Sequence, residues 1–505
     1  MWDNSSQRVF LFFQKTSIML TASDLLQLSA RGIRPEEVQQ QVDYFKQGFP
    51  WMSLEKSATV GDGIVRFSEA DLASHVERFE SRRSSLNLLK MVPASGAATR
   101  MFKSLFEYIS SGTPNKETDL FFDQLDSFAF YEELRSQVAD GADEVTVLKQ
   151  LLRASGMEYG SLPKGLLKFH RYPSGARTPL EEHLVEAAAY ASDGQLARLH
   201  FTVSPEHRGR FEKLVDELVP VWSAHFGVKF EVTFSEQKPA TDTVAVNMDN
   251  TLFREPDGSL LFRPAGHGAL LENLNDLSAD IIFIKNIDNV VPDHLKPITV
   301  EYKKALAGLL LWLLEGIEYL EMRLRGELSA GLIEEACLEL KTYLGFEVAA
   351  DFAYLSLEAQ AAELLRILAR PTRVCGVVKN TGEPGGGPFW CQDAVGNLTL
   401  QLVESAQVDM SNAEQKALFG AATHFNPVDL VCATRGCDLR EYRDMMTGFI
   451  TEKTKDGKSL KAQELPGLWN GAMAHWNTLF VEVPLETFNP VKTVTDLLRP
   501  AHQNG

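Results

Sequence analysis

The sequence predicts an α/β fold: a mixed, mostly parallel sheet with a helical lead-in and helical insertions. Two observations carry that prediction. Short β-rich runs at 198–203, 228–234 and 280–287 alternate with helical stretches at 180–191 and 205–218, and strands alternating with helices build parallel sheets through crossover connections. Residues 86–93 also read as a strand that enters a small-residue turn, with a helix beginning over 99–108.

The remaining elements follow in chain order. Residues 1–85 read as a helical N-terminal region, with Pro35, Glu36 and Glu37 at a helix start and Val38, Val42 and Phe45 at helical spacing. An α/β core is expected over 86–297, interrupted by a charged helical insertion at about 110–157. The Leu-, Glu-, Ala- and Lys-rich stretch 298–370 is expected to be a helical subdomain, and 371–505 returns to strand-like runs at 373–378, 398–403 and 479–483. The run 305–314 is apolar but meets Glu315 and Glu318 soon after, so it reads as a buried helix and not a membrane span.

Composition narrows the function classes. A net charge of −18 over 505 residues argues against nonspecific binding to nucleic acid or an anionic membrane, so neither is expected as a partner. A phosphorylated substrate then needs a local basic site. The five cysteines form no CxxC pair and no disulfide framework, which predicts a reducing, cytoplasmic setting and no thiolate metal site. The apolar stretch 9–13 is too short for a secretory leader. Oligomeric state is left open.

Several segments carry chemistry. The string MVPASGAATR at 91–100 puts small side chains, including Ala94, Ser95 and Gly96, where a strand hands over to a helix. Such a turn lets backbone N–H groups approach phosphate oxygens, and Thr99 and Arg100 add a hydroxyl and a forked donor. Taken alone, it reads equally well as a tight packing turn. Asp288 follows an apolar strand, so it lies at the carboxyl edge of the sheet and offers a hard oxygen to Mg²⁺; in isolation it also reads as a turn residue or helix cap. Gln237 ends another strand and carries both a donor and an acceptor; in isolation it reads as a surface glutamine. The Gly-rich stretch 380–390 is expected to be a sugar-contacting loop, in which Glu383 accepts hydroxyls and Trp390 offers a ring face; it also reads as a plain surface turn.

Together these strings resemble the sugar-1-phosphate nucleotidylyltransferases, and the UDP-sugar pyrophosphorylase branch in particular. The turn at 91–100 is similar to that family's GGxGTR loop, Pro163 and Lys164 to its following Pro-Lys pair, and TPLEEH at 178–183 to its P-L-x-E helix signature. RPAGHGA at 263–269 resembles PxGHGD, and NIDN at 286–289 resembles NxDN. LQLVESAQV at 400–408, HFNPVD at 424–429 and FNPVKTVTDLL at 488–498 resemble the branch's C-terminal segments, the last most specifically. Two positions depart: Ala98 stands where the family has glycine, and Ala269 where it has an acid. The resemblance covers about residues 86–105 and 160–500 with gaps, and the whole chain also resembles a bacterial family of about this length that adds no activity.

The resemblance implies a Rossmann-like core of the nucleotide-diphospho-sugar transferase type, binding nucleotide over 86–297 and sugar over 371–505. It implies that UTP and a sugar 1-phosphate combine, with Mg²⁺, to give a UDP-sugar and pyrophosphate by in-line attack. Arg100, Lys164 and Lys492 are the expected catalytic residues, Lys103 being able to stand in for Lys164, and Asp288 the expected metal ligand. Ala94, Ser95, Gly96, Thr99, Gln237, Gly266 and His267 are expected to bind nucleotide, and Glu383, Glu404 and Asn426 to bind sugar. Such chemistry needs alignment and charge neutralisation more than an acid or a base. Ala98 and Ala269 leave a catalytically silent nucleotide-sugar sensor as an alternative, and a nucleotidylyltransferase for a non-sugar phosphate as another.

Overall fold

The computed structural model describes residues 18–503 apart from 97, 383–385, 445–447, 465–466 and 468–470. Its larger compact unit comprises Pro50–Gln237, His267–Thr447 and Leu465–Gly505. A nine-stranded sheet runs through this unit, made of β1 (Thr59–Val60), β2 (Gly63–Val65), β3 (Leu88–Pro93), β4 (Leu196–Val203), β5 (Lys229–Glu236), β6 (Ile281–Lys285), β7 (Thr372–Lys379), β8 (His424–Ala433) and β9 (Asn477–Glu482). The spatial order is β1-β2-β9-β7-β8-β6-β3-β4-β5. β8 pairs antiparallel with β7 and β6, and the other pairings are parallel. The sheet is therefore mixed and mostly parallel. From β3 the chain steps outward to β4 and β5, then crosses back to place β6 on the other side of β3. Open α/β sheets bind ligands outside the carboxyl ends of their strands at such a reversal.

β3 and β6 are buried along their whole length, which explains why they read as continuous apolar runs rather than alternating ones. Alternate residues serve different cores. Leu88, Val92, Ile281 and Phe283 join one apolar cluster, while Leu89, Met91, Ile282 and Ile284 join another. Helices α1 (Glu69–Arg82), α2 (Pro179–Tyr190), α3 (Arg208–Phe226) and α4 (Lys296–Leu324) belong to the first of these. Gly308 of α4 lies so close to the backbone of His75 in α1 that any Cβ would collide with it. The α4 run around residues 305–311 is buried, and among the described residues no helix is long and apolar enough to cross a membrane. Ala330–Tyr343 and Leu357–Leu368 continue the helical stretch.

Residues 1–85 are not wholly helical. Beyond the helix Pro35–Gln47, which ends at Gly48 with φ +78, Ser53–Ser57 pairs with Gly387–Gln392 in a four-stranded antiparallel sheet that also holds Leu398–Val403 and Phe346–Glu347. β1 and β2 then add to the edge of the large sheet. These strands are too short to show a period of their own; pairing partners hundreds of residues away make them.

The smaller unit comprises Met1–Phe49, Lys238–Gly266 and Gly448–Glu464. Helices Ala22–Arg31 and Pro35–Gln47 bury Leu28, Val38, Val42 and Phe45 with Val244, Val246 and Phe262. The hairpin Phe449–Lys455 and Lys458–Glu464 belongs to the same unit. Arg254 binds both carboxylate oxygens of Asp24 at 2.8 Å and holds that carboxyl well below its ordinary range.

A layer of buried ions lies under the sheet of the larger unit. Glu186 of α2 accepts from Lys90 of β3 and Lys285 of β6, each at 2.8 Å, and from the Tyr190 hydroxyl at 2.9 Å. All four side chains are buried. Burial opposes the charge on Glu186, but Lys285, Lys90 and His183 outweigh it and hold the carboxyl well below its usual value. Two ammonium groups share one carboxylate, and burial lowers Lys90 to about 7, with Lys285 adding to the fall. Alongside, Lys303 of α4 pairs with Asp429 of β8, and Glu182 accepts from Lys296 at 2.6 Å and meets His170 Nδ1 at 2.8 Å. Removing one member of such a set strands the others in a low dielectric. Glu186→Gln is therefore expected to lower the unfolding free energy by about 3–5 kcal/mol. Urea titration of the purified variant against wild type measures it, and a loss below about 1 kcal/mol would show the layer to be dispensable.

Candidate active site

The chain leaves β3 through the small-residue turn. Ala94 is buried, and its N–H donates to Thr202 O at 2.9 Å, extending the ladder with β4 by one bond. That amide is therefore committed to the sheet and does not serve the phosphate cradle expected of it. The amides of Ser95 and Gly96 have no partner among the described residues, and Gly96 is exposed. A 3₁₀ turn, Ala98–Arg100, follows, with Ala98 N–H on Leu162 O at 3.0 Å and Thr99 Oγ1 on Gly160 O at 3.3 Å. The side chain of Ala98 is packed away with Met101, Phe102 and Leu105. These bonds hold the turn against the segment that leads to Pro163 and Lys164, although the helical insertion separates the two in sequence.

Asp288 lies three residues beyond β6 and is 6% exposed. Its Oδ2 accepts from Lys164 Nζ at 2.8 Å and from Lys492 Nζ at 3.2 Å. Lys164 also donates to Val491 O, which ties the strand-end loop to the C-terminal one. Burial disfavours the Asp288 carboxylate, yet Lys164 and then Lys492 overcome that penalty and hold its pKa below the ordinary value. Exposure separates the two lysines: the Lys164 side chain is 16% exposed and that of Lys492 62%. Lys492 is thus the one open to an incoming group. Three expected residues, separated by 124 and 204 positions in sequence, meet at one carboxylate.

The loop that carries Lys492 is fixed from both ends. Asn289 Oδ1 accepts from Asn489 N at 2.8 Å, its Nδ2 donates to Thr487 O at 3.2 Å, and Val491 N donates to Asp288 O at 3.1 Å. Asp496 Oδ2 accepts from the amides of Lys492 and Thr493, both at 2.7 Å. Sequence reasoning gave Asn289 and Asp496 no role. The signal for Asp496 was present, because Thr493 and Asp496 stand at capping-box spacing before an apolar turn. Asn289 gave no such signal.

Asp288 was expected to hold Mg²⁺, which commonly takes one or two carboxylates and completes its shell with substrate phosphates and water. Asp288 Oδ2 receives two ammonium groups, and among the described residues no group of three His, Cys, Asp or Glu gathers that could hold a metal ion. Arg100 is exposed and makes no ion pair among the described residues; it lines a cleft beside the turn with Lys103, Lys116 and Thr493. Gln237 follows β5 at the same carboxyl edge, where Asn273 Nδ2 bonds Ser235 Oγ at 2.7 Å and Glu236 O at 2.9 Å. Gly266, with φ +79, falls in the smaller unit, and His267 is exposed at the start of the next segment of the larger one.

On the sugar side Asn426 is 6% exposed, in a bulged part of β8. Its Oδ1 accepts from Val428 N at 3.0 Å while its Nδ2 has no partner among the described residues. Val428 holds φ +58, a strained value for a β-branched residue and one that recurs where geometry serves a site. Phe425 packs edge-on against Phe488, with ring centroids 5.0 Å apart. Glu404 follows the strand Leu398–Val403 and caps the turn Ser405–Gln407. Glu383 lies outside the described residues. Trp390 corrects the loop reading: it belongs to the strand Gly387–Gln392, is 3% exposed and packs with Ile64 and Leu400, so its face is not open to a sugar. The glycines before it masked a buried strand. His170 and His200, which were given no role, are buried and hydrogen-bonded, His170 to His502 and His200 to Thr233 and Ser235.

With this geometry in place, comparison with known proteins yields the following. The model of a family described as "Domain of unknown function (DUF4301)" matches residues 21–503. Among curated proteins none matches the chain. Among solved structures, the uridine diphosphate N-acetylglucosamine pyrophosphorylase from Trypanosoma brucei is similar at TM-score 0.50 and 12% identity, covering 95% of this chain and 79% of its own. The UDP-glucose pyrophosphorylase from Leishmania major gives TM-score 0.45 and 13% identity over 95% and 79%. The chain shares the fold of the first.

The buried carboxylate gives the site a pH signature. A group whose folded pKa is depressed stabilises the fold above its unfolded pKa, and that stability is lost as pH falls through the folded value. Asp288→Asn is thus expected to cost on the order of 2 kcal/mol at pH 7, and the difference from wild type to shrink as pH drops below about 4. Denaturant midpoints at both pH values measure it; a cost that did not change with pH would remove Asp288 as the ionised partner of the lysines.

Proposed function

The chain belongs to the DUF4301 family, and within that family we propose that it acts as a nucleotidylyltransferase, joining UTP to a sugar 1-phosphate and releasing pyrophosphate. The observation that carries this reading is the convergence of Lys164 and Lys492 on Asp288, at the carboxyl edge of β6 and beside the small-residue turn that follows β3. In-line attack of a sugar-phosphate oxygen on the α-phosphorus needs anionic groups brought together and their charge neutralised. Lys492, the more open of the two cations, suits the sugar phosphate; Lys164 and the amides of Ser95 and Gly96 suit the triphosphate. Asp288 keeps both ammonium groups in place before substrate arrives and sets their spacing. Asp288 would hold Mg²⁺ together with the substrate's phosphates, and the metal would then add to the charge neutralisation supplied by the lysines and Arg100.

The preference for uracil rests on Gln237, on the resemblance of residues 263–269 to a base-binding segment, and on the fold shared with a UDP-N-acetylglucosamine enzyme. A second reading, a nucleotide-sugar sensor without turnover, is favoured by one observation. Ala269, buried at 1% exposure, stands where the resemblance implies an acid.

Pyrophosphate release across a panel of nucleoside triphosphates and sugar 1-phosphates, in buffer containing Mg²⁺, tests the proposal. Turnover with one pair is expected, and Lys492→Ala should reduce it on the order of 10²-fold. Full turnover by Lys492→Ala would refute the assignment of that residue. Binding of a UDP-sugar with no release from any pair would favour the sensor.

A further inference from the structure

The carboxyl end of β5 carries a clamp that no part of the phosphate chemistry uses. β5 is the last strand on its side of the large sheet, so among the described residues no ladder fixes its outer edge. After Gln237 the chain passes into the smaller unit, and it returns to the larger one at His267. The helix Leu270–Asn275 follows at once. From that helix Asn273, 1% exposed, reaches back to the strand end: its Nδ2 donates to Ser235 Oγ at 2.7 Å and to Glu236 O at 2.9 Å. The points of departure and return are thus tied by a buried side chain.

Donors and acceptors match all along this tie. Ser235 Oγ lies 2.7 Å from His200 Nε2, His200 Nδ1 lies 2.8 Å from Thr233 Oγ1, and the Thr233 hydroxyl donates to Leu199 O at 3.3 Å. Burial pushes His200 down to about 4, so its ring is neutral at pH 7 and carries one N–H. Because Thr233 spends its proton on Leu199, His200 donates through Nδ1 and accepts through Nε2. Ser235 then donates to His200, and its oxygen is left to accept from Asn273. The bonds run in one direction without conflict, which fixes the Asn273 amide with its nitrogen toward β5. Its buried Oδ1 has no partner among the described residues.

Base recognition needs such a fixed frame. Uracil presents a ring N–H beside a carbonyl, and cytosine presents a bare ring nitrogen beside an amino group. A glutamine can turn its amide over and satisfy either, so Gln237 by itself does not choose. Backbone groups cannot turn over in that way, so a choice requires backbone at a set distance from Gln237. We infer that Asn273 is a positioning residue for the base: by holding Glu236, the neighbour of Gln237, to the helix that follows His267, it sets the preference for uracil over cytosine. The inference rests on the nucleotidyl-transfer reading and deepens its account of the base.

Calorimetric titration of UTP and of CTP into the full chain, with no sugar phosphate present, reads that preference without turnover. Wild type is expected to bind UTP more tightly. Asn273→Ala should bind both nucleotides while its preference falls at least about fivefold, the equivalent of one hydrogen bond in affinity. Ser235→Ala keeps the bond to Glu236 and should lose about threefold, which answers the question if Asn273→Ala does not fold. Thr233→Val is the control. It strands His200 Nδ1 and weakens the same strand, but both Asn273 bonds remain, so its preference should stay within about twofold of wild type. Unchanged preference in Asn273→Ala would overturn the inference and leave the transferase reading standing. The same holds for equal losses in Asn273→Ala and Thr233→Val, and for a wild type that binds the two nucleotides alike. A wild type that binds neither would sink the inference and the transferase reading together.

Discussion

The bridge from Glu186 to Lys90 and Lys285 is the constraint on which the site depends. β3 and β6 are the strands on either side of the reversal in sheet order, and their carboxyl ends carry the small-residue turn and Asp288. One carboxylate from α2 holds a lysine on each strand at 2.8 Å. A one-residue slip of either strand would turn its lysine to the opposite face and leave a buried charge without a partner. Apolar packing alone tolerates small displacements. A buried ion shared between two strands does not, so the relative register of the two exits is fixed before any loop is built.

The same principle operates at the surface of the site, with the same signs but a different exposure. Under the sheet two cations share one buried anion, and at the carboxyl edge two cations again share one carboxylate, but there one of them is open to solvent. The first arrangement is closed, because every partner is buried. The second is open, because Lys492 is exposed to solvent while Asp288 also restrains the less exposed Lys164. In a chain with net charge −18, the proposed anionic substrate would need such a local cation cluster. The C-terminal loop contributes by being tied down through Asn289 and Asp496, so that Lys492 is held by its backbone as well as by its side chain.

Much of this was legible along the chain. β3, β4, β5 and β6 emerged within two residues of their expected limits, because β3 and β6 are buried apolar runs and β5 alternates apolar with polar residues. Lys164, Asp288 and Lys492 were picked out by the strings around them, and the structure brings them together. Other features were hidden. Trp390 follows three glycines and reads as a loop tip, yet pairing with Ser53–Ser57 on one side and Leu398–Val403 on the other makes its segment a buried central strand. β8 was concealed by Asn426 and Pro427, which break the strand signal and in the fold form a bulge. Lys90, Lys285 and Glu186 lie at positions that a sequence reading would assign to solvent or leave unassigned, since a charge in an apolar run gives no hint of its partner.

What the sequence determined by itself is the set of local preferences: where strands and helices form, which turn has side chains small enough to expose its amides, and which charged residues stand just past a strand. These depend on residues within a few positions of one another, so they survive without the rest of the chain. Only the tertiary structure decided which of those residues meet. That Lys164 and Lys492 share Asp288, that Ala94 spends its amide on β4, and that Trp390 turns inward all depend on pairings across roughly a hundred residues or more. Such pairings are set by buried area and by the need to match every buried charge, and both are properties of the assembled sheet and its covering helices.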